Sequence, residues 1–348
     1  MTLGGGNSRR IVVTDDSAFM RKVISAALSR AGFEVVASGR DGDEAIDLCR
    51  RYKPDAMTLD LAMPGKDGIA VLKELRRERL EIPVVVVSAF SPAHGARAVD
   101  ALAQGAFELV SKPAVGETLD SFVSELGEKV KLATESRKQT ARPRMVPTAP
   151  PPGGHSARVN GDRRVVLIAC STGGPRALGE LVPKLPGNLG EGVIIVQHMP
   201  PGFTGSLAAR LDGQSKLRVT EAGDDAVVKK GTALLAPGGS HLRLSQDGKA
   251  HLSDSPSIGG LRPRADLTIE DAAKIYGKRL LLVVLTGMGK DGLEGAKVVK
   301  KHGGRVLVEA ESSCTVYGMP RAISQAGLAD AELDLSQLAQ AVTAEAGS

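Results

Sequence analysis

From Arg10 onward the chain alternates short β-branched runs with amphipathic stretches: RIVVTDD then SAFMRKVISAALSRAG, EVVASG then GDEAIDLCRRYK, AMTLD then GIAVLKELRRER, PVVVVSA then HGARAVDALAQG, and ELVSKP then ETLDSFVSELGEKVKLA. In the first amphipathic stretch Phe19, Met20, Val23, Ile24, Ala27 and Leu28 follow the i, i+3, i+4, i+7 spacing of a helix. Strand and helix patterns repeated in this order predict a doubly wound parallel sheet. A second series opens at RRVVLIACS and continues through VIIVQHM, KLRVTEA, RLLLVVLTGM and RVLVEA, with helical patterns such as RALGELVPKL and LEGAKVVKKHG between them. ALLAPGGSHLRLSQDGKAHLSD has glycine-rich turns and alternation, which predict a β-hairpin. AELDLSQLAQAVTAEA reads as a closing helix.

Between Ala133 and Arg164 the pattern stops, and Pro143, Pro147, Pro150, Pro151 and Pro152 with Gly153 and Gly154 predict an exposed linker. The expected organisation is a first domain over residues 9–132, a tether over 133–162 and a second domain over 163–348. The fold class is α/β, with two doubly wound parallel-sheet domains, the second carrying a β-hairpin insertion.

Composition narrows the function. At about 100–200 residues per domain, 348 residues suit two domains, each able to bury a core. Lys and Arg number 45 against 40 Asp and Glu, a net charge of +5. The tether stretch holds Arg137, Lys138, Arg142, Arg144, Arg158, Arg163 and Arg164 against Glu135 and Asp162, so the whole surplus is expected there. With 3% aromatics and no Trp there is little to stack on bases, and no helix-turn-helix follows the tether, so no nucleic-acid partner is expected. Cys49, Cys170 and Cys314 are far apart, with no metal-ligand spacing, which fits a reduced cytoplasmic protein. MTLGGGNSRR lacks an apolar signal region, and no apolar run approaches the ~18 residues of a membrane helix, so no membrane insertion is expected.

In open α/β sheets ligands bind beyond the carboxyl ends of the strands. In the first domain these ends carry Asp15 and Asp16, Asp60, Ser88, and Lys112 before Pro113. Carboxylates converging on one edge repel one another unless a cation joins them, and hard oxygen ligands suit Mg²⁺. The set DD, D-x-x-M-P-G at Asp60 to Gly65, S-A and K-P, spread over roughly residues 9–132, resembles the receiver domain of two-component response regulators. The resemblance implies a flavodoxin-like fold, Asp60 as phosphoryl acceptor, Asp15 and Asp16 with Asp60 around Mg²⁺, and Ser88 and Lys112 as the hydroxyl and ammonium that bind the phosphoryl group. It also implies a histidine kinase as phosphodonor. Leu109 stands three residues before Lys112, where the family often has Tyr or Phe, which removes the aromatic that reports phosphorylation.

The second domain offers Ser171 at a strand end before two glycines and Pro175, His198 at the end of VIIVQHM, and Asp291 after LLLVVLTGM. Together they supply a nucleophile, a base and a carboxylate to orient the base. His241, after a glycine turn, is a reserve candidate for the base. A competing pattern is G-x-G-x-x-G at Gly287, Gly289 and Gly292, with Glu309 ending the next strand, which suits a dinucleotide site. Asp291 would sit near the pyrophosphate and repel it, and no second nucleotide-binding half follows.

CSTGGP, QHMPPGFTGSLAARL, APGGSHLRL, LTGMGKDG and CTVYGMPRA resemble the catalytic domain of chemotaxis-specific protein-glutamate methylesterases, a Rossmann-like α/β esterase domain. The resemblance implies Ser171 as nucleophile, His198 as general base and acid, Asp291 as orienting carboxylate and the Met288 backbone N–H as oxyanion donor. It implies hydrolysis of γ-methyl esters on glutamates of methyl-accepting chemoreceptors, deamidation of selected glutamines, no cofactor in the esterase domain, and a resting receiver that covers the cleft until Asp60 is phosphorylated. Ala169 replaces a usual Gly, and Arg264 in RPRAD replaces a common Ser at the cleft rim. The alternatives are a receiver-controlled nicotinamide-dependent enzyme and a non-enzymatic response regulator.

Overall fold

The computed structural model describes residues 8–89, 92–113, 119–140 and 163–347. The chain divides into two units between Pro143 and Arg144. Most of the expected tether, with His155, lies outside the described residues.

The first unit runs β1 (Arg10–Thr14), α1 (Ala18–Arg30), β2 (Glu34–Gly39), α2 (Gly42–Tyr52), β3 (Ala56–Leu59), α3 (Gly68–Arg77), β4 (Val84–Ser88), α4 (Pro92–Ala103), β5 (Glu108–Ser111) and α5 (Leu119–Thr140). Its strands pair parallel in the order β2-β1-β3-β4-β5. Three helices start at side chains that accept orphan amides: Ser17 from Met20, Asp41 from Asp43 and Glu44, and Asp67 from Ala70. β3 and β4 are buried throughout, as expected for a parallel sheet covered on both faces.

Helix α5 continues to Thr140, past Leu132, the expected end of the first domain, and both Ala133 and Thr134 are buried. Small residues mark the inner face of this last stretch, so it lacks the large apolar periodicity that would have announced it. The charge assignment changes accordingly. Arg137 and Lys138 lie on α5, while Arg163 and Arg164 lead into the second unit, where Arg164 pairs with Glu345. The surplus is therefore not confined to the tether.

The second unit runs β6 (Val165–Cys170), α6 (Gly174–Leu181), β7 (Gly192–Gln197), α7 (Phe203–Asp212), β8 (Arg218–Glu221), β9 (Thr232–Leu235), β10 (His241–Leu244), β11 (Ala250–Ser253), α8 (Ala265–Tyr276), β12 (Leu280–Val284), α9 (Leu293–Lys301), β13 (Arg305–Glu309), α10 (Met319–Gln325), β14 (Ala331–Leu333) and α11 (Leu335–Ala346). Seven strands pair parallel in the order β14-β13-β12-β6-β7-β9-β8, and β10 and β11 form a separate antiparallel hairpin. The run ALL belongs to the main sheet, because β9 pairs with β7 and β8, so the hairpin starts only at His241. The closing segment likewise divides: AEL pairs with β13 as an edge strand before α11 begins. The central strands β12, β6 and β7 are buried along their whole length, and Leu167, Val196, Leu282 and Val284 join Ile269 of α8 in one core.

Helices α8 and α9 lie side by side because Gly295 leaves room for Ile269. A Cβ at Gly295 would sit 2.7 Å from Ile269 Cβ. Gly295→Ala is therefore expected to destabilise the second unit by about 1–3 kcal/mol through overpacking. Urea unfolding measures this, and an unchanged midpoint contradicts so tight a seam.

Candidate active sites

In the first unit Asp15 follows β1 and Asp60 follows β3, neighbouring strands in the sheet, with Asp60 N–H bonded to Thr14 O at 2.9 Å. Asp15, Asp16 and Asp60 each bring a carboxylate oxygen within 4.8 Å of the others. Lys112, after β5, places Nζ 2.8 Å from Asp15 Oδ2 and 2.7 Å from Asp60 Oδ2. Asp15 Oδ1 accepts from Ser17 N–H at 2.9 Å, whereas the fully buried Oδ2 has the ammonium beside it but no aligned hydrogen bond. Ser88 closes β4 and is buried, and among the described residues its Oγ reaches only Ala89 O at 3.5 Å.

Burial pushes the Asp15 carboxyl up, and Asp60 adds to that rise while Lys112 and the Ser17 amide oppose it. Burial alone would lower the Lys112 ammonium, but Asp15 and Asp60 hold it above its ordinary value. One ammonium against three clustered carboxylates leaves an excess of negative charge, and hard oxygens at this spacing fit a divalent cation. Leu109 is buried in β5, and its carbonyl accepts from Lys129 Nζ at 2.5 Å. A buried leucine offers no aromatic ring to swing between inward and outward positions.

In the second unit the register Cys170 to Gln197 places Ser171 and His198 side by side, one residue past β6 and β7. β12 flanks β6 on the other side and leads to Asp291. His198 Nε2 lies 2.7 Å from Asp291 Oδ2, so this contact uses the Nε2 edge of the ring and leaves Nδ1 for another partner. Among the described residues no hydrogen bond joins the Ser171 hydroxyl to His198; such bonds are often long before substrate binds. Ser171 N–H donates to Thr286 O at 3.0 Å, and Gly287 brings the β12 loop against the serine, since a Cβ there would lie 2.8 Å from Ser171 Cβ. Met288 follows with an exposed side chain, and no acceptor among the described residues takes its N–H.

Burial would raise the Asp291 carboxyl, but His198 and the amides of Ala265 and Asp266 hold it well below the usual carboxylate range. The cysteines offer no rival nucleophile. All three are buried, and burial pushes the Cys49 thiol up to about 12 and raises Cys170 and Cys314 as well.

His241 is fully buried, with Nε2 3.2 Å from Pro256 O and Nδ1 accepting from Arg264 N–H at 3.2 Å. Both ring nitrogens are occupied, so the reserve candidate is a structural residue. The G-x-G-x-x-G glycines serve the loop itself: Gly289 and Gly292 adopt left-handed φ values of 80° and 91°. The start of α9, where a pyrophosphate would sit, already receives the Asp266 carboxylate, which accepts from Gly292 and Gly295 N–H at 2.9 Å. Glu309 is also committed, to Thr286 N–H at 2.8 Å and Ser313 Oγ at 2.9 Å.

The roles of three residues escaped sequence reading. Gln197 Nε2 donates to Ser171 O at 3.0 Å and His198 O at 2.8 Å, clamping both strand ends, and its only signal was an amide in an apolar strand. Arg264 and Asp266 form an ion pair at 2.8 Å beside Asp291, and only the departure at Arg264 pointed to them.

Residues 11–124 match the response regulator receiver domain family, and residues 166–342 match the CheB methylesterase family. The chain is 41% identical to the protein-glutamate methylesterase/protein-glutamine glutaminase of Symbiobacterium thermophilum, over 97% of this chain and 97% of that protein. It is 40% identical to the protein of the same name from Thermotoga maritima, over 92% of this chain and 94% of that protein. The crystal structure of the Thermotoga maritima CheB methylesterase catalytic domain is 45% identical, with a TM-score of 0.50 over 52% of this chain and 98% of that domain.

Because the Asp15 carboxyl is raised, the folded first unit holds this proton more tightly than the unfolded chain. The stability linked to it is greatest at low pH and falls as pH rises through the raised value. At pH 7 with EDTA, Asp15→Asn is expected to raise the melting temperature of the first unit by about 4 °C. Calorimetry checks this, and a lower melting temperature contradicts the stated charge excess.

Proposed function

The chain belongs to the CheB methylesterase family, with a response regulator receiver domain ahead of the esterase domain, and from this we propose that it hydrolyses γ-methyl esters of glutamates on chemoreceptors under control of phosphorylation at Asp60. The observation that carries the reading is the His198–Asp291 pair, 2.7 Å apart with the carboxylate buried, at the strand end next to Ser171.

Ser171 Oγ attacks the ester carbonyl while His198 takes its proton on Nδ1, the nitrogen that Asp291 leaves free. The tetrahedral oxyanion accepts a hydrogen bond from Met288 N–H. His198 then passes the proton to the methoxy oxygen, methanol leaves, and an acyl ester remains on Ser171. Water gives a proton to His198 and adds to the acyl carbon; collapse of the second intermediate frees the glutamate carboxylate and returns the proton to Ser171. The same steps on a glutamine side chain release ammonia, which gives the deamidase activity carried in the relatives' name. The chain's residues complete both steps as acid, base and nucleophile.

In the receiver, Asp60 Oδ attacks phosphorus of a phosphohistidine on the kinase of the same pathway; the P–N bond breaks, the kinase imidazole leaves and takes up a proton, and Asp60 is left as an acyl phosphate. Asp15, Asp16 and Asp60 would hold Mg²⁺, which when bound supplies positive charge to the transferring phosphoryl oxygens. Lys112, already on Asp15 and Asp60, pairs with those oxygens, and Ser88 at the end of β4 offers a hydroxyl. Among the described residues no helix is long and apolar enough to cross a membrane, and the three buried free thiols favour the cytoplasm as the place of action. Committed amides at α9 and a committed Glu309 disfavour a nicotinamide enzyme, and the His198–Asp291 pair disfavours a purely binding second domain.

Ser171→Ala is expected to keep receptor binding and to lower methanol release from methylated receptor membranes by at least about a thousandfold. Release at the wild-type rate sinks the serine esterase reading. Asp60→Asn is expected to retain basal release and to lose its stimulation by a small phosphodonor such as acetyl phosphate. Stimulation equal to wild type contradicts Asp60 as the controlling residue.

A further inference from the structure

Helix α8 begins at Ala265 with no side-chain cap of its own, and α9 follows Gly292, which has no side chain to offer. Each helix therefore has orphan amides to satisfy. Asp291, at the approach to α9, caps α8: Oδ2 accepts from Ala265 N–H at 2.7 Å and Oδ1 from Asp266 N–H at 3.0 Å. Asp266, in the first turn of α8, caps α9 through Gly292 and Gly295 N–H, both at 2.9 Å. The caps are reciprocal. Asp291 cannot turn from His198 without uncapping α8, and α8 cannot shift without uncapping α9.

Reciprocal capping brings two buried carboxylates together, 3% and 4% exposed, which repel. Arg264 lies against both, with Nη2 2.8 Å from Asp266 Oδ2 and Nε 3.5 Å from Asp291 Oδ1. It is held in place by Nη1 donating to Ile258 O at 3.2 Å and by its backbone N–H on His241 Nδ1. The three side chains carry one net negative charge, against two without the arginine. We propose that Arg264 and Asp266 are positioning residues of the esterase, which aim Asp291 at His198 and fix the net charge facing that histidine. This rests on the reading of the second site given above.

Substitution of Arg264 or Asp266 leaves the other charged groups around the strand ends in place. Glu309 of β13 sits behind Thr286, near Arg176 of α6; Glu221 of β8 bonds Thr204 of α7; Lys290 is exposed before Asp291. On β10, His241 has both nitrogens occupied, and Gln197 of β7 and Cys170 of β6 bond each other.

Arg264→Gln removes the positive charge and favours a protonated imidazole. Asp266→Asn keeps an acceptor oxygen for Gly292 and Gly295 while removing a negative charge, and disfavours the protonated form. The acid limb of the pH–rate profile is expected to move up by about one unit in Arg264→Gln, down by about one unit in Asp266→Asn, and to return near wild type in the double variant. Two rates are followed on the full chain: methanol release from methylated receptor membranes, and inactivation by a fluorophosphonate, which needs Ser171 and His198 but no receptor. Opposed shifts in inactivation support the charge balance even if wild type releases no methanol, a result that removes the methylesterase reading alone. A limb that stays fixed in both variants while rates fall equally at every pH, or shifts of one sign, overturns the proposal.

Discussion

The second unit is organised around one buried anion. The Asp291 carboxylate accepts from His198 Nε2 and from the amides of Ala265, Asp266 and Gly292, so a single side chain joins the end of β7 to the starts of α8 and α9. A buried carboxylate left without donors costs several kcal/mol or takes up a proton. Here the donors are the amides that two helix N-termini must in any case satisfy, and the imidazole completes the set. Ser171 needs no bond to Asp291 to join the site, because parallel pairing of β6 with β7 and β12 already delivers it to the same edge.

The two units meet the same problem with opposite results. Burial acts to raise both Asp15 and Asp291, yet the first ends above its ordinary value and the second below. The difference lies in the donors. Asp15 has one amide and a lysine shared with Asp60, whereas Asp291 has three amides and a histidine. An undersatisfied cluster of carboxylates suits the proposed phosphorylation site, which under that reading takes up a cation and a phosphoryl group. A fully satisfied carboxylate suits the proposed esterase site, where it would hold a histidine in place through repeated proton transfers. The carboxyl edge of a parallel sheet serves both, because strand ends gather side chains from distant parts of the chain while the strands behind them stay rigid.

The strand-end residues were legible because β-branched runs fix where a parallel strand stops, and the next residue then faces the edge. Asp15, Asp60, Lys112, Ser171 and His198 all stand in that relation to their strands. Elements with little apolar content were less legible. The last turns of α5 pack Ala133 and Thr134 rather than large side chains, and the AEL strand β14 is an edge strand that depends on β13 for its pairing. The roles of Gln197, Asp266 and Arg264 were not legible. Each depends on a partner brought near by tertiary pairing: the caps that join Asp266 to Gly292 and Gly295 cross more than a whole strand and two turns of sequence. The glycine pattern at Gly287 to Gly292 shows the same limit, since a loop that admits a phosphate also admits an internal carboxylate.

The most direct measurement is rapid acid quench of the enzyme turning over a γ-methyl-esterified receptor fragment, followed by mass spectrometry of its peptides. A transient acyl adduct on Ser171 is expected to form as methanol is released, with none in Ser171→Ala. An adduct on another residue, or methanol released at the wild-type rate by Ser171→Ala, contradicts it.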